Sequence, residues 1–162
     1  MDTRTRSKTS VVEAIVSAAL IKPLEWQQAI VELEQQGQDY PWTEAVLQSC
    51  FDDMHYESWG IYAPQLCGFV ITHSILDERT IMNIVVDPLE RGKGFGRQLV
   101  STVQAVAQQQ QQSLWLEVRA SNTVAQALYQ AMGFSVVGQR PNYYQTTDGS
   151  ETAIIMQWTA EH

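Results

Sequence analysis

Apolar side chains return along this chain at two periods, and the switches between them mark its elements. Between Leu24 and Gln36, Trp26, Ile30 and Leu33 recur at three- and four-residue spacing. That predicts an amphipathic helix with Gly37 as its stop. Pro41-Trp42-Thr43-Glu44 opens a second helix that reaches about Phe51. From Tyr56 to Val86 the pattern becomes strand-like, in the runs SWGIYA, QLCGFVITHSI and RTIMNIVV, with Asp77-Glu78 as the turn between the last two. A helix over Arg97–Gln109, a strand over Ser113–Val118, a helix over Thr123–Met132 and strands over Phe134–Gln139 and Ala153–Trp158 complete the expected set. Ala14–Lys22 reads equally as a first strand or a short helix. The glutamine run Gln108–Gln112 reads as a solvated connection. A strand meander followed by βα units predicts a mixed sheet flanked by helices.

The chain has 162 residues, 44% hydrophobic and 17% charged, a globular composition. A domain of that size buries about 68–70% of its unfolded surface. One domain is expected over 13–162, behind a polar, disordered leader over 1–12. The formal charge is −8, and it is uneven: residues 25–78 carry ten acids and no base, whereas 79–162 carry six of each. Acidity argues against general attraction to nucleic-acid phosphates. Cys50 and Cys67 lack CxxC spacing and read as buried free thiols. No apolar run is long enough for a membrane span. Arg4, Arg6 and Lys8 ahead of Val11–Ile21 imitate a signal peptide, but Glu13 interrupts the run, so the expected compartment is the cytoplasm. His55, His73 and His162 are scattered, with no metal-ligand spacing, and Gly-x-Ser-x-Gly is absent.

The chemistry concentrates in IVVDPLERGKGFGR, residues 84–97. An apolar strand runs into Asp87-Pro88, then a glycine-rich loop, then a helix whose free N–H groups and positive dipole end suit a pyrophosphate. Gly92, Gly94 and Gly96 let a ligand approach the main chain, and Arg91, Lys93 and Arg97 supply positive charge. A Walker loop fails because Gly94 follows Lys93 where Ser or Thr is needed. A dinucleotide fingerprint fails because Arg97 takes the third glycine position.

The turn Arg91-Gly92-Lys93-Gly94-Phe95-Gly96, behind Val-Asp-Pro, resembles the acetyl-CoA-binding motif of the GCN5-related N-acetyltransferases (GNAT). The resemblance narrows towards the ribosomal-protein-alanine N-acetyltransferases (RimI type). It narrows on LWLEVRASN at 114–122, Ala127-Leu128-Tyr129, Met132-Gly133-Phe134, Pro41-Trp42, Asn142-Tyr143-Tyr144 and Ala153–Met156. It implies an α+β fold, a mixed and mostly antiparallel sheet of six to seven strands with about four helices. It also implies that the loop amides hold the pyrophosphate of acetyl-CoA, with the main chain of Ile84, Val85 and Val86 along the pantetheine arm and Asn122 in contact with CoA. The acceptor implied is the N-terminal alanine of protein eighteen of the small ribosomal subunit, a basic peptide. The rival acceptors are a lysine side chain, a polyamine or an aminoglycoside; the rival class is a silent acyl-CoA-binding module.

An amine attacks a thioester only when neutral. An α-amino group, with pKa about 7.7–8.0 against about 10.4 for lysine, reaches that state with modest help. Glu117 is placed to give it. On its strand Leu114, Leu116 and Val118 face one way, and Trp115 and Glu117 the other. Partial desolvation makes a carboxylate a better base, though an ion pair with Arg119 or Arg97 is the alternative reading. Tyr129 lies on a helix capped by Ser121 or Asn122 and ended by Gly133. Beside Ala125, Leu128 and Met132 it reads as packing; the resemblance makes it the general acid for the CoA thiolate. By the same resemblance a main-chain N–H near Val86 holds the oxyanion. Transfer is then direct, in a ternary complex, since neither cysteine falls in a matched motif. Trp42, Tyr143 and Tyr144 read as walls of a peptide cleft or as ordinary aromatic packing.

Overall fold

The computed structural model describes residues 19–160. The leader and the signal-like run up to Ala18 lie outside them. Strand β1 is Leu20–Pro23, pairing antiparallel with β2 (Tyr56–Tyr62), so the first ambiguous segment ends as a strand. Helix α1 spans Gln28–Gly37 and starts four residues later than expected. Leu24 is buried and its N–H donates to Ser58 O at 2.9 Å, which keeps that stretch extended beside β2. Helix α2 is Glu44–Asp52, capped by Thr43, whose hydroxyl accepts from the Val46 N–H. Then follow β3 (Leu66–Ile75), β4 (Glu78–Val86), a short 3-10 turn over Pro88–Glu90, α3 (Phe95–Gln109), β5 (Ser113–Arg119), α4 (Thr123–Ala131), β6 (Ser135–Thr146) and β7 (Gly149–Trp158).

The seven strands lie in the order β1-β2-β3-β4-β5-β7-β6. Every neighbouring pair is antiparallel except β4 and β5, which are parallel and joined by the α3 crossover. The mixed sheet and four α-helices expected from the sequence are therefore present. Each face of the sheet carries a core. Leu99, Val100, Val103, Leu114, Leu116, Val118, Phe134 and Met156 bury the α3/α4 side. Ile30, Leu33, Leu47, Phe69, Ile71 and Val85 bury the α1/α2 side.

Two irregularities in the ladder shape the site. Ile71 pairs with Asn83 but Thr72 with Ile81, so Met82 bulges out of β4. Ile81 and Ile84 thereby share one face, while Asn83 and Val85 turn to the other. In β6, Arg140 pairs with Ala153 and Tyr144 with Glu151, which leaves Pro141-Asn142-Tyr143 as a second bulge. A proline there costs no ladder bond, because β6 is the sheet edge. The hairpin runs well past the strand expected to end at Gln139.

The glutamine run is also more than a solvated connection. Arg79 is fully buried, and its guanidinium donates to Gln112 at 3.0 Å, Thr72 at 2.8 Å, Glu57 at 3.0 Å and Gln110 at 3.3 Å. A buried charge is tolerable only when satisfied in this way. The two glutamines thus tie the α3–β5 connection to β2 and β3.

Candidate active site

Strands β4 and β5 pair only from Glu78–Ile81 to Ser113–Leu116. Beyond that β4 continues on β3 and β5 on β7, with no ladder between them. The opening is a cavity of about 180 Å³ that collects residues from both faces of the sheet. Ile81, Met82, Asn83 and Ile84 line it from β4, and Leu116–Arg119 from β5. Asn122, Ala125 and Tyr129 come from the α4 side; Glu34, Gln38, Tyr40, Trp42 and Tyr144 from the other.

Glu117 faces away from the α3/α4 core, as the alternation of β5 requires. Its carboxylate pairs with Arg140 Nε at 3.0 Å, not with Arg119 or Arg97. The alternative partners Arg119 and Arg97 are not used: a register shift at Val137 turns Arg140 to the Glu117 face of the sheet, while Arg119 turns to Tyr40, Tyr144 and Glu151. Tyr129 is buried against Phe134, ring centroids 5.6 Å apart. Burial, and then the nearby Tyr144, push its hydroxyl up to about 12. Tyr144 is likewise pushed up to about 12, first by burial and next by the charge of Glu117. The N-cap of α4 is Asn122, whose Oδ1 accepts from the Ala125 N–H at 3.1 Å; the Ser121 hydroxyl instead donates to Glu151.

The glycine-rich loop has the backbone its sequence demands. Gly92 and Gly94 sit at φ +83° and +81°, and Gly96 is already helical. Gly94 caps α3, and among the described residues no side chain accepts from the first-turn N–H groups. Two of the three cations are engaged within the protein. Arg91 donates to Gly37 O at 3.0 Å, and Lys93 pairs with Glu90. Arg97 lines a wider groove between α3 and α4, with Gln98, Ser101, Gln104, Ala131, Met132 and Gly133. On β4 the Val85 side chain is core, and the Ile84 carbonyl accepts from Gln38 Nε2 at 3.1 Å.

Of the aromatics expected at the acceptor side, Trp42 and Tyr144 line the cavity. Tyr143 does not; it is half exposed and stacks edge-on against Tyr144. Four lining residues carry polar groups that the sequence reading passed over: Glu34, Gln38, Asn83 and Tyr40. Glu34 is fully buried and takes both its oxygens to Asn83 Nδ2, at 3.0 and 2.6 Å. Burial raises its pKa against the hydrogen bonds from Asn83, Trp42 N and Gln38. Its signal was visible: Glu34 falls four residues after Ile30, on the apolar stripe of α1. Among the described residues no group of three metal-ligating side chains occurs.

The parted strands, the left-handed glycines and the uncapped α3 terminus meet a decisive match. The sequence profile described as the Acetyltransferase (GNAT) family fits residues 21–134. The chain belongs to this family. GNAT enzymes take their acetyl group from acetyl-CoA, and this one is an acetyltransferase with that cosubstrate. It is 40% identical over 129 residues to the ribosomal protein bS18-alanine N-acetyltransferase of Escherichia coli, covering 79% of this chain and 87% of that one. The crystal structure of the Escherichia coli enzyme superposes with a TM-score of 0.83 at 37% identity, over 90% of this chain and 96% of that one. Arabidopsis thaliana NAA60 in complex with acetyl-CoA shares the GNAT fold alone, at TM-score 0.73 and 17% identity, over 88% of this chain and 98% of that one.

Proposed function

We propose that this GNAT enzyme acetylates a protein N-terminal alanine, that of ribosomal protein bS18, by direct transfer from acetyl-CoA. The observation that carries the reading is the cavity between β4 and β5, with Glu117 on one face of the sheet and Tyr129 on the other. An acetyl donor entering from the α3/α4 side and an amine from the α1/α2 side meet there. The name shared by relatives up to 40% identical supports the choice of acceptor.

In this reading the Gly92–Gly96 amides and the α3 terminus bind the pyrophosphate, with Arg97 facing the nucleotide end along its groove. Arg91 and Lys93 act differently. By holding Gly37 O and Glu90 they fix the loop's shape and contribute charge at a distance. Asn122 keeps the α4 terminus in place beside the cofactor. The acceptor ammonium replaces Arg140 at Glu117. That exchange costs little, because an ion pair with so exposed a partner is worth roughly 0.2–1 kcal/mol. Glu117 then takes the proton that the amine must lose. Tyr129 stays protonated at neutral pH and donates a hydrogen bond to the departing sulfur. With its hydroxyl near 12 against about 8.5 for an ordinary thiol, Tyr129 keeps its proton and stabilises the departing thiolate through that hydrogen bond. Trp42 and Tyr144 wall the peptide on the acceptor side, with the acidic surface of residues 25–78 facing a basic N-terminal segment in the cytoplasm.

The test is acetyl transfer from acetyl-CoA to a peptide beginning Ala-Arg-Tyr, beside its N-terminally blocked form and a lysine-only peptide. The free peptide is expected to be acetylated and the blocked one not. Equal rates on both would overturn the N-terminal reading. Tight CoA binding with no turnover on any amine would favour a binding module.

A further inference from the structure

We propose that Arg119 is a positioning residue for the acceptor. Stacked between Tyr40 and Tyr144, it latches the two walls of the acceptor side together and sets the opening through which the amine reaches Glu117. The inference rests on the acetyl transfer proposed above.

The three residues come from segments that no ladder joins. Tyr40 lies on the α1–α2 connection, Arg119 ends β5, and Tyr144 lies on edge strand β6, which pairs with β7 and not with β5. The guanidinium carbon of Arg119 is 3.9 Å from the Tyr40 ring centroid and 4.4 Å from that of Tyr144. A planar guanidinium has two faces and can stack on both rings at once, which a lysine ammonium cannot do. Its edge is engaged as well. Nη1 donates to Gln145 O at 3.2 Å and lies 3.9 Å from Glu151 Oε2. One side chain therefore joins the α1–α2 connection to the tip of the β6–β7 hairpin.

The latch stands over the chemistry. Tyr40, Arg119 and Tyr144 all line the cavity that holds Glu117, and Arg119 follows Glu117 by two residues on the same face of β5. A chain that presents its first residue to Glu117 must thread between these walls, so the stack fixes how large that residue can be. Tyr40 is 43% exposed and the α1–α2 connection carries no ladder bonds, so loss of the stack widens the mouth without opening the core.

Steady-state kinetics on Arg119→Lys, Tyr40→Leu and the double variant test this, with peptides whose first residue is alanine or phenylalanine. Each single variant is expected to raise the acceptor KM by about two- to thirtyfold, the range of a cation–π contact. The double variant is expected to add little, since either change breaks the same stack. Acetyl-CoA affinity should stay within about twofold, and the preference for alanine over phenylalanine should shrink. An unchanged KM in Arg119→Lys, multiplying effects in the double variant, or a KM rise matched by lost acetyl-CoA affinity would overturn the latch. If the wild type acetylates only a lysine peptide, the N-terminal reading fails, and the latch stands or falls by the same KM comparison on that peptide.

Discussion

The two side chains proposed for the chemistry, Glu117 and Tyr129, line one cavity from opposite faces of the sheet, and their substitutions should fail in different ways. Glu117→Gln keeps the shape and a hydrogen bond to Arg140 but removes the base, so turnover should drop by about a hundredfold or more. Acetyl-CoA binding, measured by calorimetry, should be nearly unchanged, because the carboxylate faces away from α3 and the glycine loop. Loss of cofactor binding would instead mark Glu117 as structural. Tyr129→Phe tests the other side through pH. Its hydroxyl is held near 12, mainly by burial, so it remains a donor through the whole range in which an enzyme of this kind is assayed. The phenylalanine variant should lower the rate at every pH without moving the alkaline limb of kcat. The linked stability effect has a definite sign. A phenol raised from about 10 to about 12 stabilises the folded state relative to its ionised form, so that contribution is intact below pH 10 and is lost between about 10 and 12. Thermal melts across that window should fall less steeply for Tyr129→Phe than for the wild type.

At the scale of elements, the site depends on how closely α1 approaches β4. Gly37 ends α1 directly over Val85, and a Cβ there would overlap Val85 Cγ2. Gly37→Ala should therefore cost about 1–3 kcal/mol in denaturant unfolding and raise the KM for acetyl-CoA, because Val85 belongs to the strand proposed to run beside the cofactor and Arg91 hangs on Gly37 O. The sequence marked Gly37 as a helix stop; the close approach that makes it necessary is a tertiary fact. The same division runs through the fold. Periodicity located α2, β2, β5 and α4, the apolar runs of β3 and β4 marked strands buried on both faces, and the facing of Glu117 followed from alternation alone. The late start of α1 did not follow, since Leu24 is apolar in either conformation and only its bond to Ser58 decides. Nor did Arg140 at Glu117, which depends on a register shift at Val137 two strands away, or the exposure of Tyr143, which lies in the separate Pro141–Tyr143 bulge. The Arg79 cluster was hidden for another reason: glutamines written as a run look like solvent-facing filler until a buried guanidinium collects them.

For the molecule as a whole, the net charge of −8 comes from one stretch of the chain. The ten acids of residues 25–78 belong to the segment that builds α1, α2, β2 and β3. Most are exposed, including Asp39 and Glu44, which flank the cavity residues Tyr40 and Trp42. Residues 79–162 balance six acids with six bases and keep Arg91, Lys93 and Arg97 around the glycine-rich loop. In the function proposed above, the acidic stretch attracts a basic peptide, while the cations of the glycine-rich loop attract the polyanionic cofactor. Such attraction acts on encounter more than on the bound complex, and salt screens it, with a Debye length of about 10 Å at 0.1 M and about 3 Å at 1 M. Two consequences separate steering from a merely solvated surface. With a basic acceptor peptide, kcat/KM should fall as ionic strength rises while kcat holds. In Asp39→Asn/Glu44→Gln that slope should flatten, with acetyl-CoA binding unmoved. A rate independent of salt in the wild type would leave the acidic face no part in acceptor capture. A slope that survives the double substitution would place the capturing charge elsewhere on the same stretch, where Glu25, Glu32, Asp52, Asp53, Glu57, Asp77 and Glu78 are the remaining exposed acids to neutralise in turn.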